Sequence, residues 1–103
     1  MIRVSVLYPV TQGSRFDEGY YLTQHIPLVR DALGPPCRGI SVDKGLSGAA
    51  PGTGPAFCYI AYLEFDSVAD FEGAFGPKAE TIMADIANYT DIEPVVQISD
   101  VLV

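Results

Sequence analysis

Residues 56–65, AFCYIAYLEF, set Phe57, Tyr59, Ala61, Leu63 and Phe65 on one face of a strand and Cys58, Ile60 and Tyr62 on the other. An antiparallel strand with one wet face alternates apolar with polar residues, so a strand apolar on both faces belongs to a sheet covered on both sides. Helices of the same chain can cover only one of them.

Residues 2–8, IRVSVLY, alternate Ile2, Val4, Val6 and Tyr8 against Arg3 and Ser5, the period of a strand with one strongly apolar face, and Pro9 with TQGS ends it. Residues 37–44, CRGISVDK, place Ile40 and Val42 on one face of a second strand, and PVVQISDVLV, residues 94–103, reads as the last strand. Between 37–44 and 56–65 lies GLSGAAPGTGP, a glycine- and proline-rich hairpin loop with neither GxGxxG nor GK[ST]. It leads into a strand rather than a helix N-terminus, so it is not built to hold a phosphate.

Two helical segments separate these strands. From Asp17, a good N-cap, Leu22, Ile26, Val29 and Leu33 fall in one narrow stripe at 100° per residue, up to the stop at Gly34-Pro35-Pro36. Ser67 with Asp70 resembles a capping box ahead of Val68, Phe71 and Phe75. After the Gly76-Pro77 break, Ala79, Ile82, Met83 and Ile86 recur at helical spacing, and the helix ends near Asn88.

The order β-α-β-β-α-β is the split βαβ arrangement of the ferredoxin-like fold, an α+β class, with both helices on one face of a four-stranded antiparallel sheet in a single domain over residues 1–103. Helices then cover one sheet face, and the other is expected to be apolar. A 103-residue monomer does not tolerate so large an apolar patch, so the expected assembly is a homodimer closed through the sheet face, a dimeric α+β barrel.

Thirteen acidic against six basic residues give a net charge of −7, which repels a phosphate backbone and argues against nucleic-acid binding. No stretch approaches the roughly 18 apolar residues of a membrane span, so no membrane partner is expected and the cytoplasm is the default location. Pairing about the hairpin would set Cys37 opposite a residue near 63 rather than Cys58, so a disulfide is poorly aligned and both thiols read as small core residues.

The chemistry-bearing residues gather in FDEGYYLTQHIPLV, residues 16–29, which contains the chain's one histidine. On an ideal helix centred on the apolar stripe, His25 lies about 70° from the centre and Tyr21 about 110°. His25 is thus expected at the rim of the buried face, with Tyr21 one turn before it and able to orient the imidazole or a shared ligand, while Tyr20 points nearer the opposite face. Pro27 has no N–H and its ring opposes the Thr23 carbonyl, so the helix is expected to kink between residues 23 and 27. No serine or cysteine is spaced to form a nucleophile pair with His25, and no HxxxH or carboxylate cluster indicates a metal. No metal and no cofactor are expected, a haem held by His25 being the alternative.

FDEGYYLTQHIPLV resembles the F-D-x-x-Y-Y/W-x-x-x-H-x-P-L signature of EthD-like proteins, named for ethyl tert-butyl ether degradation, and DIANYTDIEPVVQISDVLV resembles that family's ending. The resemblance implies a dimeric α+β barrel with a pocket between helices and sheet, and puts Phe16, Asp17, Tyr21, His25 and Pro27 at the motif positions. It implies small, often aromatic ligands and cofactor-independent chemistry such as the dehydration or decarboxylation associated with similar fungal proteins, or the isomerisation or oxygenation of kindred barrels, but no firm activity. His25 and Tyr21 are then the candidate catalytic residues, and Tyr8, Tyr20, Asn88 and Tyr89 candidate substrate-binding ones. Two rival readings remain open at this stage. One is a non-catalytic carrier of a small hydrophobic molecule with a similar pocket; in the other, His25 and Tyr21 only pack the interior.

Overall fold

A computed structural model describes all 103 residues. The strands are β1 (Ile2–Pro9), β2 (Gly39–Lys44), β3 (Phe57–Phe65) and β4 (Val95–Asp100), in the sheet order β2-β3-β1-β4. All three pairings are antiparallel, with Val6 opposite both Ala61 and Val96, and Ile40 opposite Leu63. The expected ferredoxin-like order is therefore the observed one. β2 begins two residues later than the sequence reading and β4 stops three residues earlier, leaving Cys37 ahead of its strand. Cys37 and Cys58 are both free thiols; each donates to a backbone carbonyl, of Gly39 and Tyr8 respectively.

Each helical region is composite. The first runs from α-helical Glu18–Tyr20 through a π-helical turn, Tyr21–His25, into α-helical Ile26–Leu33. The Asp17 carboxylate accepts the Tyr20 N–H at 3.0 Å, as an N-cap should, and Gly34 at φ 68° ends the helix in a conformation that glycine adopts without a Cβ clash. The second comprises α-helical Val68–Phe75 and Ala79–Asp85, joined by 3-10 residues Gly76–Lys78 and closed by 3-10 residues Ile86–Asn88. Ser67 Oγ accepts the Asp70 N–H at its start.

The kink expected at Pro27 takes the form of the π turn. In an α-helix the missing N–H of residue 27 leaves the Thr23 carbonyl unpaired and pressed against the proline ring; widening the preceding turn relieves both, and Ile26 N–H instead bonds the Tyr21 carbonyl five residues back. This corrects the helix-face reading. At 100° per residue Tyr21 lies roughly 140° from Ile26, but a π turn closes nearly one revolution over those five residues and brings both onto one face. Accordingly Tyr21 is 1 % exposed and His25 5 %, while Leu22, expected in the core stripe, is 46 % exposed. Val68 and Met83, also read as core-facing, are 40 % and 52 % exposed.

Between helices and sheet lie two buried clusters. Ile2, Val4, Val29, Leu33, Leu63, Phe65 and Ile82 form an aliphatic one with a single aromatic ring. Tyr8, Tyr21, Ile26, Tyr59, Tyr89 and Ile92 form the other. The opposite sheet face is less uniformly apolar than expected. Leu7 pairs with Ile60 and Val95 at one end, but Arg3 pairs with Glu64 and Ser99 at the other. The alternation rule holds for β1, whose outward residues Arg3 and Ser5 are polar; β3 is the exception that made the face look wholly apolar.

Candidate functional site

Two sequence segments close on each other to build the tyrosine-rich end. Asp17 N–H donates to the Tyr89 carbonyl at 2.7 Å, Thr90 Oγ1 donates to the Arg15 carbonyl at 2.7 Å, and Phe16 forms an isolated antiparallel bridge with Thr90. The Phe16 ring stacks on Tyr59 at 4.0 Å and meets Tyr8, Tyr21 and Tyr89 edge-on. Phe16 is thus the hub that orients the surrounding phenols, in the stacked and T-shaped arrangements that aromatic quadrupoles favour.

The Tyr8 and Tyr89 hydroxyls bond each other at 2.6 Å. Burial pushes both phenols above their ordinary titration range, so they stay protonated. Tyr59 donates to Glu18, which also pairs with Lys44 at 2.9 Å; burial, then Glu18, pushes the Tyr59 phenol up to about 12.

At the other side of this cluster His25 Nδ1 lies 2.8 Å from Asp85 Oδ2. Asp85 Oδ1 accepts from Tyr20 OH at 2.6 Å and from Asn88 Nδ2 at 2.9 Å. Burial pushes the Asp85 carboxyl up, but the hydrogen bonds from Tyr20, Asn88 and His25 together outweigh it and hold the group below the ordinary carboxylate range. For His25 burial is the larger influence and lowers its pKa below 6.5, against the opposing pull of Asp85. The pair at neutral pH is therefore an ionised Asp85 and a neutral imidazole. A carboxylate can only accept, so Nδ1 carries the hydrogen and Nε2 keeps its lone pair.

That imidazole borders a cavity of about 380 Å³ between the helices and the sheet. Val4, Val6 and Ala61 floor it, Ile26 and Phe75 roof it, and no lysine or arginine lines it. Tyr21 lines the same cavity, its ring nearly parallel to His25 at 5.8 Å. The Tyr21 hydroxyl is fully buried and makes no well-formed hydrogen bond; burial, then the neighbouring Tyr8 hydroxyl, raise its pKa well above the ordinary phenol value.

Of the residues singled out in the sequence, Tyr8, Tyr21 and His25 border this cavity. Tyr20 and Asn88 do not border it; they bind the far oxygen of Asp85, and Tyr89 is fully buried behind Tyr8. Tyr20 therefore points toward Asp85 and not away from the site, and His25 is inside the helix–sheet layer rather than on its rim. The residue that sequence reasoning missed is Asp85. Its one local signal is a carboxylate placed directly beside the apolar stripe of the second helix, between Ile82 and Ile86. No group of three or more potential metal ligands comes together in the chain.

The EthD domain model matches residues 14–93. The chain belongs to the EthD family. It is 47 % identical to an EthD-like protein from Ralstonia eutropha, superposing with a TM-score of 0.94 over 99 % of this chain and 92 % of that one. An ethyl tert-butyl ether degradation (EthD) family protein from Bacillus halodurans shares 18 % identity with a TM-score of 0.75 over 99 % of both chains. A dimeric protein of unknown function and ferredoxin-like fold from Bacteroides fragilis shares 16 % identity with a TM-score of 0.57, over 97 % of this chain and 95 % of that one. The last two likenesses concern the fold alone. No curated protein sequence matches the chain. The EthD match contains Phe16, Tyr21, His25 and Asp85, so the whole His25–Asp85 pair falls within the family region.

Proposed function

We propose that this EthD protein binds a small hydrophobic or aromatic molecule in the helix–sheet cavity and moves a proton on it with His25, without a cofactor. One observation carries the reading: His25 Nδ1 is held by an ionised Asp85 at 2.8 Å while its ring borders a mostly apolar cavity. This is the arrangement of a general base whose tautomer and orientation are set by a carboxylate, and positioned bases contribute on the order of 10²–10⁴-fold. A packing role alone asks for no cavity beside the ring. Tyr21 positions the molecule from the neighbouring turn, and Asp85 acts through His25 as a positioning residue.

The test is proton exchange or turnover on a panel of phenols, lactones and quinones, with binding measured in parallel. His25→Ala is expected to retain binding and lose activity by about 10²–10⁴-fold. Asp85→Asn also removes what raises the His25 pKa, so its residual activity should persist to lower pH than the parent's, whose acid limb falls below 6.5. No activity from the parent on the whole panel, with binding intact, would favour a carrier.

The outward residues Leu7, Ile60, Tyr62 and Val95 support the further reading that two copies close face to face, with Arg3 and Asp43 toward the rim and Ser5 between Tyr62 and Gln97. Ile60→Asp is expected to convert a sedimenting dimer to monomer; a parent that sediments as monomer at micromolar concentration rules this out. The free thiols Cys37 and Cys58 fit the reducing cytoplasm.

A further inference from the structure

A hydrogen bond needs a donor and an acceptor, and the side chains of the cavity offer a ligand only the second. Four polar ones line it: Tyr8, Tyr21, His25 and Glu93. The Tyr8 hydroxyl is bonded to Tyr89, and the Tyr21 hydroxyl is sealed in beside it, closed to a ligand. Glu93 is exposed, next to Pro94 where the chain enters β4, and its carboxylate only accepts. His25 Nε2 is the remaining polar atom: it makes no hydrogen bond and, unlike the Tyr21 hydroxyl, is not sealed.

The hydrogen-bonding sense of Nε2 is fixed from behind. Asp85 Oδ1 already takes two hydrogens, from Tyr20 and Asn88, and Oδ2 faces Nδ1, so the imidazole hydrogen sits on Nδ1. Nε2 then presents a lone pair to the cavity. A carbonyl, an ether or a carboxylate entering here sets lone pair against lone pair and loses its hydration without a partner. An O–H group brings the missing hydrogen, and an uncharged one costs far less to desolvate than an ion.

Resting on the cavity reading above, we propose that the ligand is an uncharged phenol whose hydroxyl donates to His25 Nε2, with Asp85 setting that sense through the imidazole tautomer. In proton transfer the phenol hydrogen passes to Nε2, and the O–H electron pair stays on oxygen, where it delocalises onto the ortho and para ring carbons. Asp85 faces the imidazolium that forms and stabilises it. Return of the proton to oxygen restores the phenol; return to an ortho carbon gives the keto tautomer. No electrons are gained or lost.

The experiment uses three uncharged probes of one ring shape at neutral pH: 2-naphthol, which donates, isoquinoline, which only accepts, and naphthalene, which does neither. The parent is expected to bind 2-naphthol roughly three- to tenfold more tightly than naphthalene, and isoquinoline no more tightly than naphthalene. Asp85→Asn changes the sense without removing the imidazole. With Tyr20 and Asn88 both donating at the Oδ1 position, the amide oxygen belongs there and the amide N–H faces Nδ1, which moves the imidazole hydrogen to Nε2. Isoquinoline should then gain roughly three- to tenfold over naphthalene. A parent that binds isoquinoline as tightly as 2-naphthol, or an isoquinoline-to-naphthalene ratio unchanged by Asp85→Asn, would each overturn the proposal. If no probe binds, the cavity reading falls with it. Hydrogen exchange at the ring carbon beside the hydroxyl of 2-naphthol in D₂O, followed by NMR with parent and His25→Ala, tests the base separately. Donor-selective binding without His25-dependent exchange keeps the phenol and removes the base; exchange without donor selectivity does the reverse.

Discussion

The two ends of the layer between helices and sheet are both buried but differ in kind. At one, Val4, Val29, Leu33, Leu63, Phe65 and Ile82 pack with no polar atom among their side chains. At the other, Tyr8, Tyr21, Tyr59 and Tyr89 carry hydroxyls into the interior, three of which find partners and one of which does not. The aliphatic end needs only to exclude water. The tyrosine end must also satisfy each donor, and the shortfall falls beside the cavity. The cavity spans both ends, lined by Val4, Val29, Leu33, Leu63 and Ile82 from one and by Tyr8, Tyr21 and Ile26 from the other, with the composite first helix contributing to each.

The largest expected effect breaks the aliphatic end. Phe65→Ala removes a fully buried ring and should cost about 3–5 kcal/mol in denaturant unfolding. Next comes the tyrosine end, where Tyr8→Phe keeps the ring but orphans the Tyr89 hydroxyl; about 1–3 kcal/mol is expected from the same measurement. If Tyr8→Phe cost as much as Phe65→Ala, the two ends would not differ in the way described.

A smaller, graded effect follows from pH. His25 has a folded pKa below 6.5, so the unfolded chain takes up the proton first and stability falls as pH drops from 6.5 toward the folded value. The stabilisation from Asp85, whose folded pKa is also depressed, persists above about 3.8 and is lost as pH falls through the folded value. Unfolding free energies measured at pH 7.5 and 5 should decline for the parent, and less so for His25→Asn. The smallest effect concerns Leu22→Ser. With the π turn, this exposed site should change stability by no more than about 0.5 kcal/mol; in an uninterrupted helix that buried Leu22, truncation to a small side chain would cost on the order of 2–5 kcal/mol.

Much of this architecture is legible along the chain. The alternation in IRVSVLY and AFCYIAYLEF, the Asp17 and Ser67 caps and the stops at Gly34 and Pro77 place six elements in the right order, because each signal acts within a few residues. Pro27 likewise announces a break beside His25. A missing N–H does not dictate whether the backbone bends or widens, and that choice rotated Tyr21 inward and Leu22 outward. The outer sheet face departs from expectation for a related reason, since β3 alone is apolar on both sides and its neighbours' Arg3, Ser5 and Asp43 alternate normally.

Periodicity, caps and turn residues are local, and by themselves they determined the ferredoxin-like order, the approximate helix boundaries and the break in the first helix beside His25. Tertiary structure alone decided that Asp85, sixty positions away, receives the imidazole N–H, and that Tyr20 and Asn88 hold that carboxylate instead of lining the cavity. A hydrogen bond between distant residues depends on how two helices dock on one sheet. The unpartnered Tyr21 hydroxyl depends on the same docking, because whether a donor is satisfied is a property of the whole enclosure around it.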